Sequence, residues 1–381
     1  MADPVAKWRR SILDPLRILY PEGGVSLKTK TYLSDMLEMV DRPAFCVSNG
    51  IITQANRAAA GRFVQIGDPI QPMLNAGQEE YRNFTAGCLY LPLTISGHQY
   101  DASVTKVEEL DLFSLDPDDT AQSLHPLALA ARELREPLNR ILSITDDLFP
   151  QLDNDPQTHE KIGQINRGLY QMLRLVNNMS AAAAPLRPHL ELRDVAAVAQ
   201  ELFDQASQLC AESGVRLNFT NHPTSIYALI DSSLLERGLY NLISNALKYT
   251  PAGGIIEARL TRRGSQMSFT VSDSGAGLDP AVTANVYRRY LREPALESVS
   301  QGIGLGMKLV RSAAAAHGGT VLLRQQEGGG VLVSMCLPIR QKTDLVASRP
   351  LRVDYAGERS PALIELSDSL PNELYAPHPQ K

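Results

Sequence analysis

Three short stretches decide how this chain reads: NLISNALKY at residues 241–249, DSGAGL at 273–278 and GIGLGMK at 302–308. In the first, Asn241, Asn245 and Lys248 stand at i, i+4 and i+7, so on a helix they share one face, while Leu235, Leu239, Leu242 and Ala246 take another and form core. Amide oxygens beside a lysine suit a magnesium–triphosphate, because Mg2+ takes oxygen ligands and keeps phosphates and waters in its shell. In the second, Asp273 ends the alternating run Met267, Phe269, Val271, where a carboxylate can accept from an exocyclic amine. Gly275 and Gly277 let the backbone approach a flat base closely. In the third, Gly302, Gly304 and Gly306 lead into a helix and would expose backbone N–H groups to phosphate at its positive end. The G-x-G-x-G spacing does not fit a dinucleotide fold, which needs G-x-G-x-x-G directly after a strand.

Singly these stretches are common. In this order they resemble the N, G1 and G2 boxes of the histidine kinase ATP-binding domain, a Bergerat-type α/β sandwich shared with gyrase, Hsp90 and MutL. Val286-Tyr287-Arg288-Arg289-Tyr290 is similar to the family's F box, residues 291–301 fall where its ATP lid lies, and His317-Gly318-Gly319 fits the stretch after the G2 helix. The resemblance covers about residues 194–340. It implies ATP and Mg2+ as cofactors, with Asn241 in the pocket, Asn245 on the metal, Lys248 on a phosphate, Tyr249 lining the base pocket and Asp273 reading adenine. It also implies that Gly275, Gly277, Gly302, Gly304 and Gly306 shape the pocket and lid, and that Arg289 contacts the γ-phosphate.

Upstream, residues 131–138 read ARELREPL and resemble the family's H box, S-H-E-L-R-T-P-L. The register places Arg132 at the phosphoacceptor position. Phosphoryl transfer to nitrogen needs a lone pair, which imidazole offers near its pKa of ~6.5. A guanidinium stays protonated and offers none. Glu133, the acid/base neighbour, is kept. Glu136 stands where the family has Thr or Asn, putting a negative charge where a partner's aspartyl phosphate would sit. His125 and His159 are the nearby histidines. His125 precedes Pro126 and has no acidic neighbour, and His159 adjoins Glu160; both read as surface residues.

Around the H box, Leu127, Ala131, Leu134, Leu138, Ile141 and Leu148 follow heptad spacing. Ile162, Ile165, Leu169, Met172, Val176 and Met179 step by three and four. Pro150 and Pro156 bracket a turn that neither helix crosses. Two such narrow seams are expected to pair with a second copy as a four-helix bundle, or to pack on neighbouring domains. Before them, residues 36–115 read as a small α+β unit. Its features are a hairpin at Asn49-Gly50, strand-like runs at 87–93 and 98–107, and a pattern through Asn56 that resembles a PAS sensor domain. Cys46 and Cys88 read as core there, and His98 as structural rather than as a haem ligand.

The expected organisation is therefore multidomain α+β. A helical lead-in (1–35) precedes the PAS-like unit (36–115), the helical hairpin (116–185), the ATP-binding domain (186–340) and a polar, proline-bearing tail expected to be disordered (341–381). Val195 to Leu209 reads as a helix, 215–219 and 226–230 as strands, 232–249 as a helix, 255–261 and 267–271 as strands, 307–316 as a helix, and 320–324 and 331–337 as strands. The net charge of −5 gives no support for nucleic acid. The four cysteines are scattered, without a C-x-x-C pair, against zinc or disulfides. No signal peptide or membrane span is expected, which fits a cytoplasmic protein. The resemblance implies a homodimer, or a heterodimer with a true kinase, and a response-regulator receiver domain as partner. It leaves two functions: a sensor histidine kinase whose autophosphorylation is in doubt, or a non-catalytic scaffold gated by ATP.

Overall fold

The computed structural model describes residues 37–38, 40, 42–74, 76–107, 110–116, 119–148, 156–183, 188–277, 305–326, 328–341 and 359–376. The chain divides into two compact units.

The first unit carries β1 (Ala44–Ser48), β2 (Ile51–Ala55), α1 (Gln78–Arg82), β3 (Cys88–Ile95), β4 (His98–Val107) and β5 (Leu110–Asp116). These strands run in the order β2-β1-β5-β4-β3, and the paired strands β1/β2, β1/β5, β4/β5 and β3/β4 are antiparallel. Asn49 and Gly50, at φ 49° and 78°, make the expected hairpin turn, and Ser96-Gly97 repeats it between β3 and β4. Two successive left-handed residues match the twist of the flanking strands. Phe45 and Phe113 stack with centroids 5.1 Å apart in a core that includes Val47, Ile52, Leu89, Leu93 and Val104. Asn56 is buried and ties the unit's start together. Its Oδ1 accepts from the N–H groups of Ala44 and Ala59, and its Nδ2 reaches the carbonyls of Leu37, Val40 and Arg42. Strand β5 was not expected: LDLFSLD places an aspartate near each end, and only pairing with β1 and β4 buries Phe113 and Leu115 completely. His98 is exposed at a strand end and Cys46 and Cys88 are buried, as their reading required.

The second unit begins with a helical hairpin, α2 (Asp119–Leu148) and α3 (Pro156–Ala183). Each apolar seam is split. Ala131, Leu138 and Leu142 interlock with Leu169, Leu173 and Val176, whereas Leu134, Ile141, Ile144, Leu148, Ile165 and Met172 are all about half exposed. The α/β part adds β6 (Glu191–Asp194), α4 (Val195–Glu212), β7 (Arg216–His222), β8 (Tyr227–Ile230), α5 (Ser232–Tyr249), β9 (Ile255–Arg263), β10 (Gln266–Asp273), α6 (Leu305–Ala316), the first two residues of β11 (Thr320–Gln325) and, from Val333, β12 (Val331–Pro338). Strand order within this unit is β12-β10-β9-β7, with β7 parallel to β9 and β9 antiparallel to β10; β6 and β8 pair separately. Along β10 every second residue is buried, Met267, Phe269, Val271 and then Asp273. The two-residue period thus carries the carboxylate onto the same face as the core.

The tail corrects one expectation. Residues 359–376 are described and ordered, with α7 (Pro361–Glu365) and a 3-10 turn (Asn372–Tyr375). Ala362, Ile364, Leu366, Leu370 and Tyr375 are buried there. A sparse apolar pattern that cannot form a core alone does so against a surface supplied by the rest of the chain. The lead-in at 1–35 lies outside the described residues.

Candidate functional site

Helix α5 starts where Asp231 caps it: the Asp231 carboxylate accepts from the N–H groups of Leu234 (3.1 Å) and His189 (2.9 Å). The Asp231 N–H in turn donates to Nε2 of His317 at 2.9 Å, so the His317 proton sits on Nδ1 and is donated to the Ala313 carbonyl at 2.7 Å. His317 thereby pins the end of α6 to the start of α5. Burial holds its pKa below the usual 6.5, the neutral form being the one that accepts. Protonation therefore favours the unfolded chain, and this contribution is present above pH ~6.5 and lost as pH falls below it. His317→Ala is expected to cost about 1–3 kcal/mol and to flatten the fall in stability with pH. Urea unfolding of wild type and variant across that range checks this, and equal slopes would refute it.

Along α5, Asn241 is fully buried and Asn245 half-buried. Asn241 Nδ2 donates to the Arg237 carbonyl at 2.9 Å, while its Oδ1 is buried and has no hydrogen-bond partner among the described residues. A side chain at Gly306, in the first turn of α6, would come within 2.9 Å of Asn241 Oδ1 and 3.7 Å of Asn245 Oδ1. Two amide oxygens therefore converge on the N-terminal turn of a helix, and only glycine leaves room between them. Unsatisfied backbone N–H groups at such a terminus suit phosphate, and an orphaned amide oxygen beside them suits a hard cation. No cluster of His, Cys, Asp and Glu fit for a metal occurs among the described residues. A cation here would rest on amides and phosphate oxygens, and the residues present fit Mg2+ on those terms.

At the C-terminal end of α5, Thr250 stops the helix. Its N–H and Oγ1 both donate to the Ala246 carbonyl, at 3.0 and 2.7 Å. Tyr249 is left half exposed, with the Lys248 ammonium 5.6 Å from its ring centroid. Asp273 is buried, and its Oδ1 accepts from the Gly275 N–H at 3.0 Å. A side chain on Gly275 would collide with the Tyr249 carbonyl, so glycine is required where the loop crosses the helix end. Gly277 takes φ +80°, a conformation that favours glycine. From Asn241 to Tyr249 the helix rises ~12 Å. The site thus has amide oxygens beside the α6 N-terminus along α5, and Lys248, Tyr249 and the buried Asp273 carboxylate of β10 towards the C-terminal end of α5. Sequence reasoning missed Thr250, whose only signal was its position after the last helical residue, and Arg237. Leu278, Arg289, Gly302, Gly304, the stretch 286–290 and residues 291–301 lie outside the described residues.

In α2, Arg132, Glu133 and Glu136 are exposed, and Glu136 pairs with Arg140 at 3.0 Å. Arg135 turns inward and donates to Asn177 Oδ1 of α3 at 2.9 Å. Pro137 leaves the Glu133 carbonyl without its helical donor. His159 is half-buried in the first turn of α3; the side chain of His125 lies outside the described residues.

Residues 230–341 match the family described as histidine kinase-, DNA gyrase B-, and HSP90-like ATPase. The chain is 30% identical over 222 residues to histidine protein kinase DivJ of Caulobacter vibrioides, covering 56% of this chain and 37% of that protein. It is 33% identical over 232 residues to the sensor-like histidine kinase R01002 of Rhizobium meliloti, covering 56% and 42%. Among solved structures, full-length ShkA in complex with AMPPNP aligns with TM-score 0.45 and 23% identity, over 57% of this chain and 46% of that one. ThkA in complex with the response regulator TrrA aligns with TM-score 0.40 and 14% identity, over 80% and 98%. The chain spans well under two thirds of both curated relatives. It carries an ATPase domain of this family and is homologous to sensor histidine kinases.

Proposed function

We propose that this chain is a sensor-histidine-kinase-like signalling protein that binds Mg·ATP but does not autophosphorylate at the usual position, acting instead as a nucleotide-gated scaffold. The observation that carries the reading is the convergence of Asn241 Oδ1 and Asn245 Oδ1 on Gly306 at the start of α6, with Asp273 and Tyr249 at the other end of α5. Asn241 and Asn245 hold the metal, Lys248 and the α6 terminus hold phosphate, Asp273 accepts from the adenine amine, and Tyr249 flanks the base. Bound Mg2+ supplies charge neutralisation for the phosphates. Arg289 is assigned to the γ-phosphate by its place in the F-box resemblance. At the bundle, Arg132 offers charge but no lone pair, so it holds a phosphate electrostatically rather than attacking one.

The exposed halves of the two helical seams support a homodimer through residues 116–185, and a heterodimer with a true kinase would use the same surface. A receiver domain is the natural partner of such a bundle, and the 36–115 unit is the candidate PAS-like sensor. No helix among the described residues is long and apolar enough to cross a membrane, which supports a cytoplasmic assignment. Light scattering on the full chain during an ATP titration with Mg2+ is expected to give a mass near twice 41.7 kDa and one nucleotide per chain. A stable monomer with Leu134 and Ile165 left in water would contradict the dimer, and absence of saturable binding would contradict the site.

A further inference from the structure

The ordered tail makes one continuous set of contacts with α3. Asn166 Nδ2 donates to the Tyr375 carbonyl at 2.9 Å, and Gln171 Nε2 to the Ser367 carbonyl at 3.3 Å. The Arg167 guanidinium donates to the carbonyls of Ser367 and Asp368 at 3.0 and 2.8 Å and to Asn372 Oδ1 at 3.2 Å. Arg174 pairs with the carboxylates of Asp368 and Glu365, the latter at 3.5 Å. The rings of Tyr170 and Tyr375 meet edge to face, 5.0 Å apart. Ile364 inserts into the apolar cluster formed by Ala131, Leu138, Leu142 and Leu173 between α2 and α3. At Gly163 a side chain would lie 2.5 Å from the Asn372 carbonyl oxygen, so α3 carries glycine where the tail crosses it.

The same segment also holds the ATP-binding part of the chain. α7 packs on α4 and α5, and Ser213, just past α4, donates to the Ser369 carbonyl at 3.2 Å. Glu365 is fully buried; burial pushes its carboxyl pKa up, and the charges of Arg237 on α5 and Arg174 on α3 oppose that rise. Arg237 Nη2 also donates to the Asn177 carbonyl of α3 at 2.9 Å, and the Arg237 carbonyl accepts from Asn241 Nδ2 at 2.9 Å. Arg237 therefore links α3 through its side chain to the candidate metal ligand through its carbonyl. Arg174 on the receiving surface pairs with both tail carboxylates, while Arg167 holds tail carbonyls and the Asn372 amide oxygen. A buried carboxylate is tolerated only while paired, and removing either side strands a charge. Residues 342–358 tether the tail, so its redocking is intramolecular and fast relative to any soluble competitor.

We propose that residues 359–376 are a built-in clamp, an intramolecular docking peptide that fastens the ATP-binding domain to bundle helix α3, and whose release frees the two to move. The tail is the occupant that this arginine-lined groove is shaped for. This inference stands on the tail's contacts alone and needs neither nucleotide nor phosphotransfer.

Hydrogen exchange and X-ray scattering on the full chain test it. In wild type, amides of 361–376 are expected to exchange at least about tenfold slower than an unstructured peptide, since they close a helical turn and a 3-10 turn. Gly163→Leu removes the space for Asn372 while raising the helix propensity of α3. It is expected to return the tail to peptide-like exchange, to raise exchange in 163–177 and near Ser213, and to increase the radius of gyration, with β9 and β10 still protected. The charge-reversed pair Glu365→Lys with Asp368→Lys is expected to do the same without touching α3. Peptide-like exchange of the tail in wild type overturns the proposal. So does retained protection in both variants. Release of the tail with no change in α3 exchange or in scattering overturns the clamp and leaves a passive cover.

Discussion

Replacing Asp273 with alanine is expected to weaken ATP binding about 100-fold or more while leaving the fold intact. The carboxylate sits at the end of β10 on the core face, buried, with one oxygen already holding the Gly275 N–H. A hydrogen bond from a neutral donor to a buried carboxylate is worth about 1.5–3 kcal/mol, or roughly 10- to 150-fold in affinity. Losing the Gly275 contact also loosens the loop that must lie flat against the Tyr249 carbonyl, which adds to the deficit. Asp273→Asn keeps an oxygen acceptor and is expected to lose less, about tenfold, through loss of the charge. Anisotropy of a fluorescent ATP analogue reads both variants, and thermal unfolding shows whether each still folds. An unchanged dissociation constant for a folded Asp273→Ala protein would remove the adenine-reading role.

Arg132→His is expected to create an acid-labile phosphoryl label where the wild type has none. The position is exposed on α2, its neighbour Glu133 is exposed beside it, and Pro137 follows at the family spacing. A neutral imidazole supplies the lone pair that the guanidinium lacks. The label is expected to be weak, for two reasons. The Glu136–Arg140 pair keeps a carboxylate one turn from the acceptor. The Glu365–Arg174 pair and the Arg237 hydrogen bond to the Asn177 carbonyl hold α5 and the tail against α3 and restrict the approach of the nucleotide to position 132. Adding Gly163→Leu to Arg132→His should then strengthen the label. A folded, ATP-binding Arg132→His protein with no label, with or without tail release, would mean that the γ-phosphate does not reach α2.

Much of the ATP-binding domain was legible because its signals are local. The helix at 232–249 was read with its bounds, and a strict two-residue alternation leads to Asp273. The Asn49-Gly50 turn was equally plain. What escaped was whatever depended on a distant partner. The residues LDLFSLD become a strand only between β1 and β4. Leu134 and Leu138 look equivalent in a heptad, yet Leu138 packs inside the hairpin and Leu134 does not. That the Asn241 oxygen is buried without a hydrogen-bond partner among the described residues, with Gly306 of α6 against it, shows only once α6 packs on α5. The tail's apolar residues Ala362, Leu363, Ile364, Leu366, Leu370, Leu374 and Tyr375 follow no sustained period in a polar, proline-bearing setting, so the sequence alone did not predict order. Its burial is supplied by α2, α3, α4 and α5, and its charge by Arg167, Arg174 and Arg237, none of which is near it in sequence.

The central claim is that this chain keeps the nucleotide site of a histidine kinase and lacks the acceptor. Incubating the full wild-type protein with Mg2+ and γ-labelled ATP, while measuring bound nucleotide and protein-bound label in the same samples, tests it most directly. The account predicts saturable nucleotide binding and no acid-labile label at any occupancy. Acid-labile label on the wild-type chain, mapped to His125, His159 or another histidine, would contradict it.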